Sequence, residues 1–369
     1  MSIRYLSLGG SRRLYETVFA GSHDASITSG SSYAQTQDLD ITGQADAGVR
    51  LFDLRILAHK EGNTVKLVGY HGSPGGKETV TVKSSFKDDT KHTIETSKKI
   101  TGEFGLSLGR MLKQARKFVE ATDEFLIFKF DKCTNYPLVA EYCVELLSDA
   151  IYKPIGKEFG KLTLDDLRQK VVCVFNHKEL GNMGDYTEAD GILGFKSLKG
   201  EKNSVGTYDP TFPGLQYYGK GGTNPLKFYQ TNKMKLNDNQ GIQKKMLLAM
   251  GAVEDDFAAN VLGMMYWTST GSVSSIRDRN ENMMWGASGV RRMGELWREG
   301  LKASIDTQLQ RDEIRTMAHG GVKRLKAYFP NIVMIDFADA GKCQAIYDLN
   351  TAADDRLVAA YQKWKKAHP

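Results

Sequence analysis

Residues 47–55 read Ala47-Gly-Val-Arg-Leu-Phe-Asp-Leu-Arg55, an apolar run that becomes charged towards its end. The same pattern occurs upstream, where Thr17-Val-Phe-Ala leads into Gly21-Ser-His-Asp24, and downstream, where Val65-Lys-Leu-Val-Gly-Tyr leads into His71. Short apolar runs of this kind are typical of strands buried in a parallel sheet. They predict three consecutive strands, within 17–24, 49–57 and 65–71, whose polar ends lie at one edge of the sheet.

The rest of the chain continues this alternation of strands and helices without a sequence repeat. Further strands are predicted within 125–131, 171–176, 264–269 and 331–337, and helices within 103–122, 136–151, 243–250, 293–329 and 343–366. Residues 178–236 are rich in Gly, Asn, Tyr and Lys and lack periodicity, so they predict an insertion or long loop with room for one further strand. We therefore expect one α/β domain over 1–369, an irregular (β/α)₈ TIM barrel with this large insertion.

Composition excludes several classes of protein. The chain has 369 residues, 41% of them hydrophobic and 25% charged, with no apolar run of the roughly 18 residues that a membrane span needs. The four cysteines are scattered, which favours buried, reduced thiols over a disulfide scaffold or a zinc site. The net charge of +6 is dispersed, so nucleic acid is not indicated, although an anionic lipid surface fits weakly.

No secretory signal is legible at the N-terminus. The compartment is therefore left open between secretion by another route and the cytoplasm, in both cases with action at a membrane surface. No obligate protein partner is evident, and the oligomeric state is not readable.

Polar side chains at several strand ends are expected to converge on one face of the barrel. These candidates are His23, Asp24, Asp53, Arg55, His71, Lys129, Asp131, Asn176 and Asp336. One histidine can accept a proton near neutral pH, a second can return one to a leaving oxygen, and a guanidinium can offset the charge of a phosphate. The set suits phosphoryl transfer, although a histidine at a strand end is more often only structural.

Several motifs, in order, resemble the X region of bacterial phosphatidylinositol-specific phospholipases C. They are Gly21-Ser-His-Asp-Ala-Ser, Thr36-Gln37, Ile41, Gln44, Ala47-Gly-Val-Arg-Leu-Phe-Asp-Leu-Arg55, Tyr70-His-Gly72, Trp267-Thr-Ser-Thr-Gly and Val333-Met-Ile-Asp-Phe. The resemblance spans about residues 15 to 340. It implies cleavage of membrane phosphatidylinositol to diacylglycerol and inositol 1,2-cyclic phosphate, with only peripheral contact to the membrane.

The resemblance also implies a role for each matching residue. His23 is the general base on the inositol 2-hydroxyl, helped by Asp336. His71 is the general acid, with Asp24 as its carboxylate partner. Arg55 contacts the phosphate, and Asp53 supports this cluster.

Head-group binding is the part of the resemblance with departures. The family places basic residues at the ends of strands four and five, whereas this chain has Lys129 and Asp131 in one segment and Asn176 in the other. We expect these three residues and Trp267 to bind substrate. Lys129 is equally compatible with pointing into the helix layer.

The family contains a calcium-using branch and a metal-free branch. Calcium-dependent relatives tend to have Asn after the first histidine and an acidic residue in place of Arg55, because calcium requires oxygen ligands. Asp24 and Arg55 therefore indicate the metal-free branch, with no cofactor.

Two alternative functions remain open. A glycerophosphodiester phosphodiesterase also uses two barrel histidines but adds Glu and Asp metal ligands, which Arg55 argues against. A catalytically silent barrel that binds inositol lipids has no need of a matched acid and base. The exact inositol lipid is not readable from the sequence.

Overall fold

Eight parallel strands close into a barrel in the computed structural model, which describes residues 2–198, 206, 208–220, 231–251, 261–269, 275–310 and 330–367. The described strands are β1 (Phe19–Ser22), β2 (Val49–Leu54), β3 (Ile56–Glu61), β4 (Thr64–His71), β5 (Pro74–Lys83), β6 (Lys91–Ile100), β7 (Glu103–Ser107), β8 (Leu126–Phe130), β9 (Val171–Asn176), β10 (Ile192–Ser197), β11 (Leu215–Lys220), β12 (Leu262–Tyr266) and β13 (Ile332–Ile335). The barrel order is β1-β13-β12-β11-β10-β9-β8-β2. The predicted TIM barrel is confirmed.

Helices connect and cover these strands. Those described are α1 (Ile41–Ala47), α2 (Leu108–Thr122), α3 (Tyr136–Leu147), α4 (Asn232–Gly251), α5 (Ile276–Arg279), α6 (Ala287–Gln310), α7 (Ala340–Tyr347) and α8 (Leu349–Ala367). A π-helical turn, Asn280–Met284, continues α5. No described helix is both long and apolar enough to cross a membrane.

The third predicted barrel strand was wrong. Residues 65–71 lie in β4, which pairs antiparallel with β3 and β7 in a separate five-stranded sheet of order β5-β6-β3-β4-β7. The predicted strand 49–57 divides at Arg55, where the chain leaves β2 for β3. Because the second half of β4 is buried and forms a short apolar run like that of a barrel strand, the sequence pattern could not separate the two. The third barrel strand along the chain is β8.

The predicted insertion at 178–236 was also wrong in part. Two barrel strands, β10 and β11, lie inside it, and α4 begins there. Both strands contain glycine and polar residues, such as Gly194 and Gln216, in place of a continuous apolar run. This composition explains why the sequence pattern did not identify the two strands. Residues 199–205, 207 and 221–230 of this segment lie outside the described part.

Several helix limits differ from the prediction. Residues 103–107 form β7, so the helix predicted from 103 begins at Leu108. The last helix is two helices, α7 and α8, that meet at Asp348. The predicted helix 293–329 corresponds to α6, and residues 311–329 lie outside the described part.

A buried ion pair lies at the amino-terminal end of the barrel. Nε of Arg50, on β2, donates to Oε2 of Glu124 at 3.0 Å, and both side chains are almost completely buried. The remaining guanidinium nitrogens donate to the backbone oxygens of Ile3, Ala45 and Val49. These contacts fix the N-terminal segment and α1 beneath the barrel.

The cysteine prediction is confirmed, since Cys133, Cys143, Cys173 and Cys343 are all buried and free of disulfides.

Candidate active site

Three adjacent strands deliver the centre of the site. Ser22, the last residue of β1, aligns with Ile335 of β13 and with Phe52 of β2. The next residues along the three strands are therefore neighbours at the carboxyl end of the barrel, as expected for a parallel barrel. They are His23, Asp336 and Asp53.

His23 is held by a carboxylate on one side of its ring. Its Nδ1 lies 2.9 Å from Oδ1 of Asp336, which is completely buried. An ionised carboxylate can only accept, so Nδ1 carries the proton and Nε2 faces the site. Tyr266 packs edge-on against the imidazole, with ring centroids 6.4 Å apart.

Asp24 lies within contact of three basic side chains of the site. Its Oδ2 lies 3.6 Å from Nε2 of His23 and 3.7 Å from Nε2 of His71, and its Oδ1 lies 3.0 Å from Nε of Arg55. Asp24 is buried and its backbone is left-handed, with φ of 43°. Local strain of this kind is often found at functional sites. The two histidines therefore face one carboxylate oxygen.

His71 reaches the site from the side sheet rather than from the barrel. It ends β4, and its side chain is 22% exposed compared with 10% for His23. Gly102 makes this arrangement possible, because a Cβ at that position would lie 1.9 Å from the carbonyl oxygen of His71. His71 thus lines the open side of the site and His23 its buried side.

The electrostatic environment shifts the pKa values of the two histidines in opposite directions. Burial alone would lower the pKa of His23, but the carboxylates of Asp24 and Asp336 outweigh it and raise this pKa to about 9. Burial lowers the pKa of His71, and the attraction of Asp24 is opposed by the positive charges of Arg55 and His23. In the ligand-free site the proton therefore resides on His23, the residue predicted to be the base.

Asp24 and Arg55 both keep their charges in this environment. Burial would raise the pKa of Asp24, but His23, Arg55 and His71 hold it below its usual range. Burial would lower the pKa of Arg55, but Asp24 and Asp53 raise it. Asp24 is thus a carboxylate and Arg55 a fixed cation.

The side chain of Lys129 points into the barrel, not into the helix layer. Its Nζ donates to Oδ1 of Asp53 at 2.8 Å and lies 4.5 Å from the ring centroid of Phe195. Asp131 is further away, with Oδ2 3.9 Å from Nζ, and its Oδ1 accepts from Nδ2 of Asn176 at 3.3 Å. The three predicted head-group residues therefore form one connected group beside the histidines.

The predicted substrate contact of Trp267 is contradicted. Its side chain is completely buried, and Nε1 donates to the carbonyl oxygen of Met284 at 2.8 Å. It has no surface left for a ligand and serves to fix the π-helical turn. The two methionines of that turn, Met283 and Met284, are buried as well.

Two functional neighbours were not among the predicted site residues. Gln37 donates to the carbonyl oxygens of His23 and Ile335 and accepts from the amide of Ala338, so it joins the ends of β1 and β13. Its place in the Thr36-Gln37 motif was the available signal. Asn280 donates to Oδ2 of Asp336 at 3.0 Å, and no motif indicated it.

Three side chains in the described site could act as ligands to a metal ion. His23, Asp24 and Asp53 bring one ligand atom each within 4.8 Å of one another. However, Arg55 is paired with Asp24 and Lys129 with Asp53. Because these side chains already neutralise both carboxylates, the group does not match the oxygen-rich, anionic shell that calcium prefers.

Comparison with known proteins adds evidence on the fold. No family model matches the chain, and no curated protein matches its sequence. A structure of phosphatidylinositol-specific phospholipase C from Staphylococcus aureus, determined for modulation of membrane binding, has a TM-score of 0.50 at 14% identity and covers 94% of this chain and 96% of its own. The chain has the fold of the bacterial phosphatidylinositol-specific phospholipases C.

Two other solved structures are similar at lower scores. The pentafluoro-Phe form of the S. aureus enzyme has a TM-score of 0.49 at 15% identity and covers 91% of this chain and 93% of that one. A calcium-dependent phosphoinositol-specific phospholipase C from Pseudomonas has a TM-score of 0.38 at 12% identity, with coverages of 70% and 84%.

Proposed function

We propose that this protein is a metal-independent phosphatidylinositol-specific phospholipase C that acts on lipid in a membrane or micelle. One observation carries the proposal: Nε2 of His23 and Nε2 of His71 lie 3.6 and 3.7 Å from the same oxygen of Asp24, with Arg55 beside them. An acid, a base and a fixed cation around one small space suit the cleavage of a phosphodiester. The fold of the S. aureus enzymes supports this choice of substrate.

The reaction proceeds in one displacement. Nε2 of His23 takes the proton of the inositol 2-hydroxyl, and the oxygen attacks phosphorus. The bond between phosphorus and the glycerol oxygen breaks, and Nε2 of His71 gives its proton to that oxygen. Diacylglycerol leaves and inositol 1,2-cyclic phosphate remains. His23 has then gained one proton and His71 has lost one.

Before this step the proton must lie on His71. In the ligand-free site it resides on His23, whose pKa is raised to about 9 by Asp24 and Asp336, after burial is overcome. An anionic phosphate beside Arg55 adds negative charge on the open side of the site, where His71 lies. This charge favours protonation of His71, and the oxygen of Asp24 between the rings stabilises the proton on either one.

The inositol ring is bound beside Asp131. The side chain of Asp131, which is 30% exposed, presents an acceptor to ring hydroxyls, and Asn176 fixes it. The side chain of Lys129 is only 2% exposed and lies behind Asp131, with Nζ 3.9 Å from its Oδ2. Arg55, which is 21% exposed, contacts the phosphate, and Asp53 holds Lys129 in place.

A metal-dependent phosphodiesterase is the second candidate, because His23, Asp24 and Asp53 could contribute ligands. The two functions differ in their requirement for a metal and in their first product. Hydrolysis by metal-bound water gives no cyclic phosphate.

Phosphorus NMR of the products tests the proposal. Phosphatidylinositol vesicles are incubated in EDTA with wild type, His23→Ala, His71→Ala and the control His59→Ala, whose side chain lies in the side sheet, bonded to the carbonyl oxygen of Ser97. Wild type and control are expected to form the cyclic phosphate, and loss of either site histidine to lower the rate at least ~10²-fold. Equal rates for all four proteins would overturn the proposal.

A further inference from the structure

Asn280 lies behind the pair formed by Asp336 and His23. It is completely buried, and its Nδ2 donates to Oδ2 of Asp336 at 3.0 Å. The other oxygen of that carboxylate, Oδ1, lies 2.9 Å from Nδ1 of His23. The three side chains therefore form a chain from the π-helical turn to the reacting imidazole.

The surroundings fix which amide atom of Asn280 faces Asp336. The carbonyl oxygens of Ile276 and Ser269 lie 2.9 and 3.4 Å from the same Nδ2. All three neighbours are acceptors, so only the NH₂ group can occupy this position. The carboxylate accepts the most strongly of the three because it is charged.

The π-helical turn places Asn280 in this position. The amide of Trp285 donates to the carbonyl oxygen of Asn280 at 2.8 Å, five residues back along the chain. Such a turn carries one more residue than an α-helical turn and is often found at functional sites. Trp267, through its bond to Met284, holds the same turn against the barrel.

We infer that Asn280 is a positioning residue for the acid-base chemistry and acts on His23 through Asp336. With both of its oxygens held, the carboxylate cannot rotate away from Nδ1 of His23. This keeps Nε2 of His23 directed at Asp24 and the substrate. The catalytic consequence rests on the proposed function, but the effect on the titration of His23 does not.

The pKa of His23, measured by NMR in the substrate-free protein, tests this inference. Asn280→Ala is expected to lower this pKa by roughly one unit, because a carboxylate that is free to rotate away from Nδ1 stabilises the imidazolium less well. Asn280→Asp is expected to leave it at or above the wild-type value, because the introduced carboxyl either donates to Asp336 while protonated or adds negative charge. Asn280→Ser takes the place of the alanine variant if that variant does not fold.

Asn350→Ala is the matched control. Asn350 is also a completely buried asparagine, but it bonds to Val18 and Tyr347, away from the site. Its loss is expected to lower stability and leave the pKa of His23 unchanged. An unchanged pKa in Asn280→Ala, an equal fall in both Asn280 variants or an equal fall in the control would overturn the inference.

Kinetics on phosphatidylinositol separate this inference from the proposed function. Asn280→Ala is expected to lower kcat roughly tenfold or more, with KM within about twofold of wild type because Asn280 does not contact substrate. If wild type does not cleave the lipid but the pKa pattern appears, the function fails and the positioning role stands. If the lipid is cleaved and the pKa does not move, the positioning role fails alone.

Discussion

Nδ1 of His23 lies 2.9 Å from Oδ1 of Asp336, and the two side chains are delivered by the neighbouring strands β1 and β13. The contact fixes the tautomer of the imidazole, so that Nε2 is the atom that faces the site. Under the proposed function, Asp336 therefore has an orienting role that does not require it to exchange a proton.

Asp336→Asn is expected to reduce kcat by ~10²-fold or more, the usual contribution of a general base, with little change in KM. The amide removes the charge that stabilises the imidazolium and can bond to the wrong tautomer. Steady-state rates on phosphatidylinositol vesicles measure the effect. Asp339→Asn is the control, since Asp339 is a nearby exposed residue that caps α7; equal losses in both variants would contradict the orienting role.

The rate is expected to depend on pH in a bell-shaped manner. Burial lowers the pKa of His71 below 6.5, and Asp24 and Asp336 outweigh burial to raise that of His23 to about 9. Below the lower value both rings are protonated and no base is left, and above the higher value both are neutral and no acid is left. The profile of kcat/KM, which reports the free enzyme, should therefore be highest between them. A rate that does not fall as pH rises through about 9 would contradict an active form in which His23 and His71 together hold one proton.

Activity is expected to persist in EDTA and to show no gain with calcium, because Arg55 supplies the positive charge. Arg55→Lys should lose roughly tenfold or more, the equivalent of one charged hydrogen bond, since lysine cannot pair with Asp24 and phosphate through a planar fork. Arg116→Lys, at an exposed pair on α2, is the control. Initial rates with EDTA and with calcium test both points, and wild-type activity found only with calcium would contradict the role of Arg55.

Stability is expected to depend strongly on the ion pair of Arg50 and Glu124. Glu124→Ala leaves a buried guanidinium without its carboxylate and should lower the free energy of unfolding by ~3–5 kcal/mol. Glu120→Ala, which breaks the exposed pair with Arg116, should cost at most ~1 kcal/mol. Denaturant unfolding of the two variants gives the comparison, and similar losses would show that the buried pair is not a major constraint.

Much of the site could be predicted because sequence position determines which strand ends are neighbours. His23, Asp53 and Asp336 follow directly on barrel strands, and the parallel arrangement places them together. His71 was included correctly among the converging residues although its strand was misassigned. The hairpin β3–β4 returns His71 to the end of β2, where Arg55 begins the hairpin.

Other parts of the site could not be predicted because they depend on tertiary contacts. Trp267 was expected to bind substrate, but its side chain is completely buried and its Nε1 donates to Met284 in the buried turn. Asn280 depends on a π-helical turn, which has no composition signal comparable to a strand. The strands β10 and β11 are interrupted by glycine and polar residues, so the sequence pattern could not distinguish them from a loop.

The origin of the oxygen atoms in the first product tests the central claim most directly. Phosphatidylinositol is cleaved in EDTA in water enriched in heavy oxygen, and the early product is examined by mass spectrometry. Attack by the inositol 2-hydroxyl predicts a cyclic phosphate that contains no oxygen from water. An inositol monophosphate that carries one heavy oxygen from the start, with no cyclic precursor, would contradict the account and identify direct hydrolysis.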